Sequence, residues 1–337
     1  MPLEKLTQAY TPAIEEELKQ AVARISGPQL SELQNMMRYH LGWIGPGAGA
    51  KARGKRIRPI LVLLTTAAAG GKWEKALPAA AGIELVHNFS LIHDDIEDNS
   101  PLRRGRPTLW KKWGIAQAVN AGDAMFSLAH LALMRMENSS PLKVTLQATN
   151  VLRQACLTLT QGQYLDISYE NRTDVSIEDY WPMVEGKTAT LLATCTELGA
   201  LIAEADENTR SAYRDFGRDL GLAFQALDDI LGIWGESEQI GKSTASDLVE
   251  GKKSLPILFA LEQQGMFAKR WHQGPIQPEE CTSLAALLET EGARDFTLNE
   301  ASRLTNLALT ALAKANPQGD AGQELTALAN QLLCREI

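Results

Sequence analysis

The chain has 337 residues, 45% of them apolar and 22% charged, enough for one large globular domain or two small ones and too apolar for disorder throughout. A formal net charge of -8, from 41 acidic and 33 basic side chains, argues against a general nucleic-acid or anionic-membrane surface. No apolar stretch approaches the roughly 20 residues of a spanning helix; the early run Glu15-Glu16-Glu17 does not suit a secretory leader, and a cytoplasmic location is expected.

In chain order, apolar residues at three- and four-residue spacing in an Ala-, Leu-, Gln- and Glu-rich background predict helices near 3–24, 29–42, 57–69, 74–99, 115–136 and 142–170. The same pattern predicts further helices near 176–204, 207–235, 246–264, 280–289, 297–314 and 320–334. Breaks fall at Gly45-Pro46-Gly47-Ala48-Gly49, Gly70-Gly71, Pro101 with Gly105 and Pro107, and Gly241. None is long enough for an interdomain linker, so a single all-α domain over 1–337 is expected. Cys156, Cys195, Cys281 and Cys334 lie far apart, without zinc-ligand spacing, and read as reduced, mostly buried thiols.

The first chemistry-bearing segment is basic: Lys51, Arg53, Lys55, Arg56 and Arg58 fall within residues 51–58. The second is His93-Asp94-Asp95-Ile96-Glu97-Asp98. Asp94 and Asp98 are four apart, about 5–6 Å from each other on one helical face. Such like charges either face open solvent or hold a cation, and Mg²⁺, which takes carboxylates together with substrate phosphates, suits them. His87, two turns earlier, shares that face. Arg103-Arg104-Gly105 follows directly. Further on, Lys187 lies in Gly186-Lys187-Thr188. A second acidic pair, Asp228-Asp229, sits among apolar neighbours, with Gln225 one turn before it. Burying two unpaired carboxylates there is expensive, which implies a metal or a basic partner. Lys242 and Lys252-Lys253 close the series. Two carboxylate pairs with several cation clusters are what a site needs to hold Mg²⁺ and two polyphosphate groups.

In order, Gly54-Lys55-Arg56-Ile57-Arg58-Pro59, His87 through Asp98, Arg103-Arg104-Gly105, Gly186-Lys187-Thr188, Gln225-Ala226-Leu227-Asp228-Asp229 and Gly251-Lys252-Lys253-Ser254-Leu255-Pro256 resemble the trans-isoprenyl diphosphate synthases of the polyprenyl synthetase family. The resemblance implies an all-α bundle around a central cavity, and a homodimer. It implies condensation of isopentenyl diphosphate with an allylic diphosphate to a short all-trans product, C20 geranylgeranyl diphosphate first and C15 farnesyl diphosphate next. It implies three Mg²⁺ ions held by Asp94, Asp98 and Asp228, with Asp95 and Asp229 in support. Arg103, Lys187, Thr188, Gln225, Lys242 and Lys252 would hold the allylic diphosphate; Lys55, Arg58, His87 and Arg104 would hold isopentenyl diphosphate.

Two departures from the family pattern stand out: Gly232 where many members have a third aspartate, from which weaker metal organisation is expected, and Gln161 where glutamate is frequent. Phe89, with Ser90 beside it, lies five residues before Asp94, roughly 7–8 Å deeper along the helix. It either forms a floor that sets product length or packs the core. A class I terpene cyclase handles one diphosphate and has no use for the second cation cluster. A non-catalytic partner subunit usually loses first-motif residues, and all are present here; Gly232 is the one feature in its favour.

Overall fold

The computed structural model describes residues 3–235 and 246–333. Among them the fold is helical, and the only sheet is a hairpin of two-residue strands. The chain divides into two compact units, one of Met1–Gln154, Thr194–Arg210 and Asn316–Leu325, the other of Ala155–Ala193, Ser211–Ala315 and Thr326–Ile337. Four of the five boundaries fall inside helices.

The first unit begins with α1 (Leu3–Val22), α2 (Ser31–His40), α3 (Ala50–Arg53), α4 (Ile57–Ala68) and α5 (Leu77–Glu97). A hairpin, β1 (Leu102–Arg103) and β2 (Arg106–Pro107), precedes α6 (Leu109–Trp113) and α7 (Ile115–Met134). Helix α5 starts at Leu77-Pro78, where proline's fixed φ suits the first turn, and is buried from Pro78 to Val86. It packs on α7, α4 and α1. The hairpin turns through Arg104 (φ 53) and Gly105 (φ 74). Two successive positive φ values make a type I′ turn, which matches the twist of paired strands. Arg103 pairs with Arg106 across it.

The second unit takes most of α8 (Leu142–Glu170), then α9 (Ile177–Val184), whose capping box joins Ser176 and Asp179. A π-helical turn over Glu185–Ala189 separates α9 from α10 (Thr190–Ile202), which continues into the first unit. Then come α11 (Glu207–Trp234), α12 (Ser246–Val249), α13 (Leu255–Glu262), α14 (Met266–Trp271), α15 (Cys281–Thr290), α16 (Ala293–Ala315) and α17 (Gly319–Leu333). Ile233, Ile257, Phe267 and Leu288 centre a core against which Phe259 packs, stacked on Phe296 at 4.4 Å.

The helical pattern holds, with corrections. The span predicted at 176–204 is interrupted by the π turn, and that at 246–264 is two helices parted near Gly251 (φ 67). Helices α3, α6 and α14 and the hairpin were not predicted, because elements of two to six residues are too short to express a period. Cys156, Cys195 and Cys281 are buried free thiols, as expected; Cys334 lies outside the described residues. No described helix is long and apolar enough to cross a membrane.

Within the first unit α10 approaches α4 at Gly199, where a Cβ would lie 2.6 Å from Thr65 Cβ and 2.8 Å from Val62 O. Gly199→Ala is therefore expected to lower unfolding free energy by about 1–3 kcal/mol, the cost of overpacking a closed contact. Urea denaturation followed by circular dichroism checks it.

Candidate active site

In the first unit the acidic pair sits at the end of α5. The Asp98 backbone N–H donates to Asp94 O at 2.8 Å, which puts the two residues one turn apart, as the spacing predicted. Asp98 is exposed, Asp94 half-buried and Asp95 buried. Asp95 accepts from Arg103 Nε at 2.7 Å through Oδ1, while its Oδ2 is buried without a hydrogen-bond partner. Burial pushes the Asp95 carboxyl up to about 6, against the pull of Arg103.

The predicted cation cluster gathers in the same unit. Lys55 is exposed. Arg58, one residue into α4, lies 3.2 Å from His87 Nε2 through Nη1, and its Nε is buried without a partner. A guanidinium only donates, so His87 must accept and be neutral. Burial, then Arg58, Arg104 and Arg103, indeed hold His87 well below its usual range. Arg104, at the hairpin tip, donates to Ala52 O at 2.8 Å. One residue not foreseen joins them: His40, which with Tyr39, Leu91, Asp95, Arg103 and Arg104 lines a small pocket. Phe89 is half-buried, its ring 5.0 Å from that of Phe126 on α7. Ser90 turns its hydroxyl back to His87 O at 2.9 Å.

In the second unit Asp228 is exposed and Asp229 buried. Three donors hold Asp229: Tyr180 Oη at 2.8 Å, Gln225 Nε2 at 2.9 Å and the Leu255 backbone N–H at 2.8 Å. Burial outweighs them and pushes its carboxyl up to about 7. Gln225 also accepts from Thr188 Oγ1 at 3.0 Å, so the predicted Thr188 and Gln225 form one chain ending on the aspartate. Lys187, in the π turn, is ion-paired with Asp166. Such π turns recur at functional sites. Lys252 is half-exposed and pairs with Glu250 at 3.0 Å, and Lys253 donates to Glu170 O at 2.8 Å. Lys242 lies outside the described residues.

Gly232 has a structural reason. A Cβ there would lie 2.3 Å from Asp247 Oδ2, because the carboxylate of α12 fills the space beside α11. A third aspartate at 232 would require the Asp247 carboxylate to move. Gln161 is exposed. Tyr180, Asp166, Asp247 and His40 escaped sequence reasoning.

The donor set suits a hard, oxygen-seeking dication. Each unit pairs an exposed carboxylate with a buried one, and Asp95 Oδ2 is buried without a hydrogen-bond partner. Mg²⁺ is commonly held this way, by one or two carboxylates with substrate phosphates and water.

A model of the polyprenyl synthetase family matches residues 48–288. The chain belongs to that family. Across 314 residues it is 38% identical to a (2E,6E)-farnesyl diphosphate synthase of Mycobacterium tuberculosis, covering 90% of this chain and 86% of the relative. A geranylgeranyl diphosphate synthase of the same organism is 37% identical over 310 residues, with the same coverage. Its fold is similar to that of a Caulobacter crescentus polyprenyl synthase complexed with calcium and isoprenyl diphosphate, with TM-score 0.84, 28% identity and coverage of 99% of this chain and 98% of that one. As a polyprenyl synthetase, the protein is an enzyme that transfers prenyl groups.

His40 offers a pH test. Burial, then the guanidiniums of Arg103, Arg104, Arg56 and Arg106, push it down to about 3 from an ordinary value near 6.5. Between those values the unfolded chain binds a proton that the folded state refuses, so this group's contribution to stability falls as pH drops below about 6.5. His40→Gln is expected to lose less stability between pH 7 and 5 than the parent, measured by urea midpoints across that range.

Proposed function

We propose that the protein condenses isopentenyl diphosphate with an allylic diphosphate, head to tail and with Mg²⁺, to a short all-trans prenyl diphosphate. The observation that supports this is that each unit carries a carboxylate pair together with cationic and hydrogen-bonding side chains. In the first unit Arg58 contacts His87 and Arg104 is held by Ala52 O; in the second Thr188 bonds Gln225 and Lys187 pairs with Asp166. A cyclase acting on a single diphosphate needs only one such set.

Asp94, Asp98 and Asp228 are proposed to hold Mg²⁺, three ions per site by family resemblance, with Asp95 and Asp229 fixing the helix ends behind them. When bound, Mg²⁺ stabilises the negative charge that develops on the departing diphosphate. Arg103, Lys187, Thr188, Gln225, Lys242 and Lys252 are assigned to the allylic diphosphate; Lys187 is ion-paired with Asp166. Lys55, Arg58, His87 and Arg104 are assigned to the diphosphate of isopentenyl diphosphate. A neutral His87 leaves the positive charge on Arg58 for the substrate. The allylic C–O bond breaks, the resulting carbocation adds to the double bond of isopentenyl diphosphate, and the proton then lost from the isopentenyl unit leaves with the diphosphate. No side-chain nucleophile is required.

For the product we propose C20, with Phe89 as the floor of the chain pocket and Ser90 beside it. The C15 product stands as a second reading, because a farnesyl and a geranylgeranyl synthase are almost equally similar to this chain. The two units are proposed to act as one catalytic domain, since their boundaries cut through α8, α10, α11 and α17. Assembly as a cytoplasmic homodimer belongs to the same proposal and rests on the family.

Purified protein incubated with Mg²⁺, labelled isopentenyl diphosphate and each of the C5, C10 and C15 allylic diphosphates tests the reaction, chain length being read after phosphatase treatment. Elongation that EDTA abolishes and Mg²⁺ restores is expected; no elongation with any starter would overturn the reading. Asp94→Ala should lower turnover by about 10²–10³-fold, the range for losing one stabiliser of developing charge. Phe89→Ala should lengthen the product, and an unchanged product removes the floor.

A further inference from the structure

Arg56 stands between Lys55 and Arg58 in the sequence, yet it is buried while Lys55 is exposed. It is the N-cap residue of α4 and has a left-handed backbone, φ 50 and ψ 36, unusual for any residue but glycine. Its guanidinium spans three partners: Nε donates to Glu15 Oε1 at 2.8 Å, Nη1 to Glu84 Oε1 at 2.7 Å and Nη2 to Leu41 O at 3.2 Å. The carboxylates are held in turn, Glu84 by Asn88 Nδ2 at 2.9 Å and Glu15 by Trp43 Nε1 at 2.5 Å. The clamp therefore ties the start of α4 to α1, to α5 and to the residue after α2.

Burying two carboxylates and one guanidinium is a poor route to stability, because apolar residues of the same volume do as well or better. Its geometric effect is specific. It holds the backbone bent at residue 56, and so sets where Lys55 leaves the chain and how the first turn of α4 brings Arg58 to His87. Glu84 also lies close enough to favour the charged forms of Arg58 and Arg104, a buried counter-charge for two of the cations proposed to bind substrate.

We propose that Arg56, clamped by Glu15 and Glu84, is a positioning residue for the isopentenyl diphosphate cluster and sets the affinity of that cluster without touching the substrate. The proposal rests on the assignment of Lys55, Arg58 and His87 to that diphosphate. Lysine keeps the charge but not the planar fork that bridges three acceptors.

Steady-state kinetics of the full-length Arg56→Lys enzyme, varying each substrate separately, tests it. The KM for isopentenyl diphosphate is expected to rise at least about tenfold, while the KM for the allylic diphosphate stays within about twofold and product length is unchanged. Glu15→Gln, which keeps shape and an acceptor, should shift the same KM in the same direction by less, and it decides the matter alone if Arg56→Lys fails to fold. A lower melting temperature with both KM values unchanged, or both raised together, overturns the positioning role. A wild-type enzyme that elongates no starter overturns the functional reading and this proposal with it; elongation with an unsplit KM overturns this proposal alone.

Discussion

Two adjacent aspartates on an α-helix cannot share one environment, because successive side chains point about 100° apart. When the helix is packed on one side, one carboxylate faces outward and the other is driven inward, where it must find donors. Both acidic pairs obey this constraint. Asp228 is exposed and Asp229 buried; Asp94 is half-buried and Asp95 buried. The outward carboxylate is the more exposed of the two. Its inward neighbour fixes the helix to whatever supplies its hydrogen bonds, so the placement of the site follows from how each buried partner is satisfied.

The two solutions differ. Asp95 is met by one guanidinium, delivered by a hairpin whose turn depends on positive φ at Arg104 and Gly105. The same turn exposes Arg104, so one short element both steadies a carboxylate and presents a cation. Asp229 is met by a phenol, an amide and a backbone N–H at the start of α13, all neutral donors. Burial pushes both carboxyls up, that of Asp229 against these three donors and that of Asp95 against Arg103.

Cation clusters pose the mirror problem, since guanidiniums brought together repel. The structure answers with groups that cannot add charge: His40 and His87 are held neutral by burial and by the arginines around them. It answers also with buried carboxylates, Glu15 and Glu84, behind Arg56. A segment with five cations in eight residues thus divides into exposed and half-exposed members available to an anion and one buried member that organises the backbone.

The sequence by itself determined the helical class, the long helices and both aspartate pairs, because periodicity and i, i+4 spacing are local properties of one helix. It also marked Arg58 with His87, and Thr188 with Gln225, by motif. Tertiary structure alone decided which aspartate of each pair is buried and what satisfies it, since Tyr180 is 49 and Leu255 26 residues from Asp229. It decided that the Asp247 carboxylate lies against Gly232, and that Arg56 differs from its basic neighbours. These outcomes depend on which faces pack against each other. A local pattern states that a side chain carries charge, and only the packing around it states whether that charge meets water, a partner or a substrate.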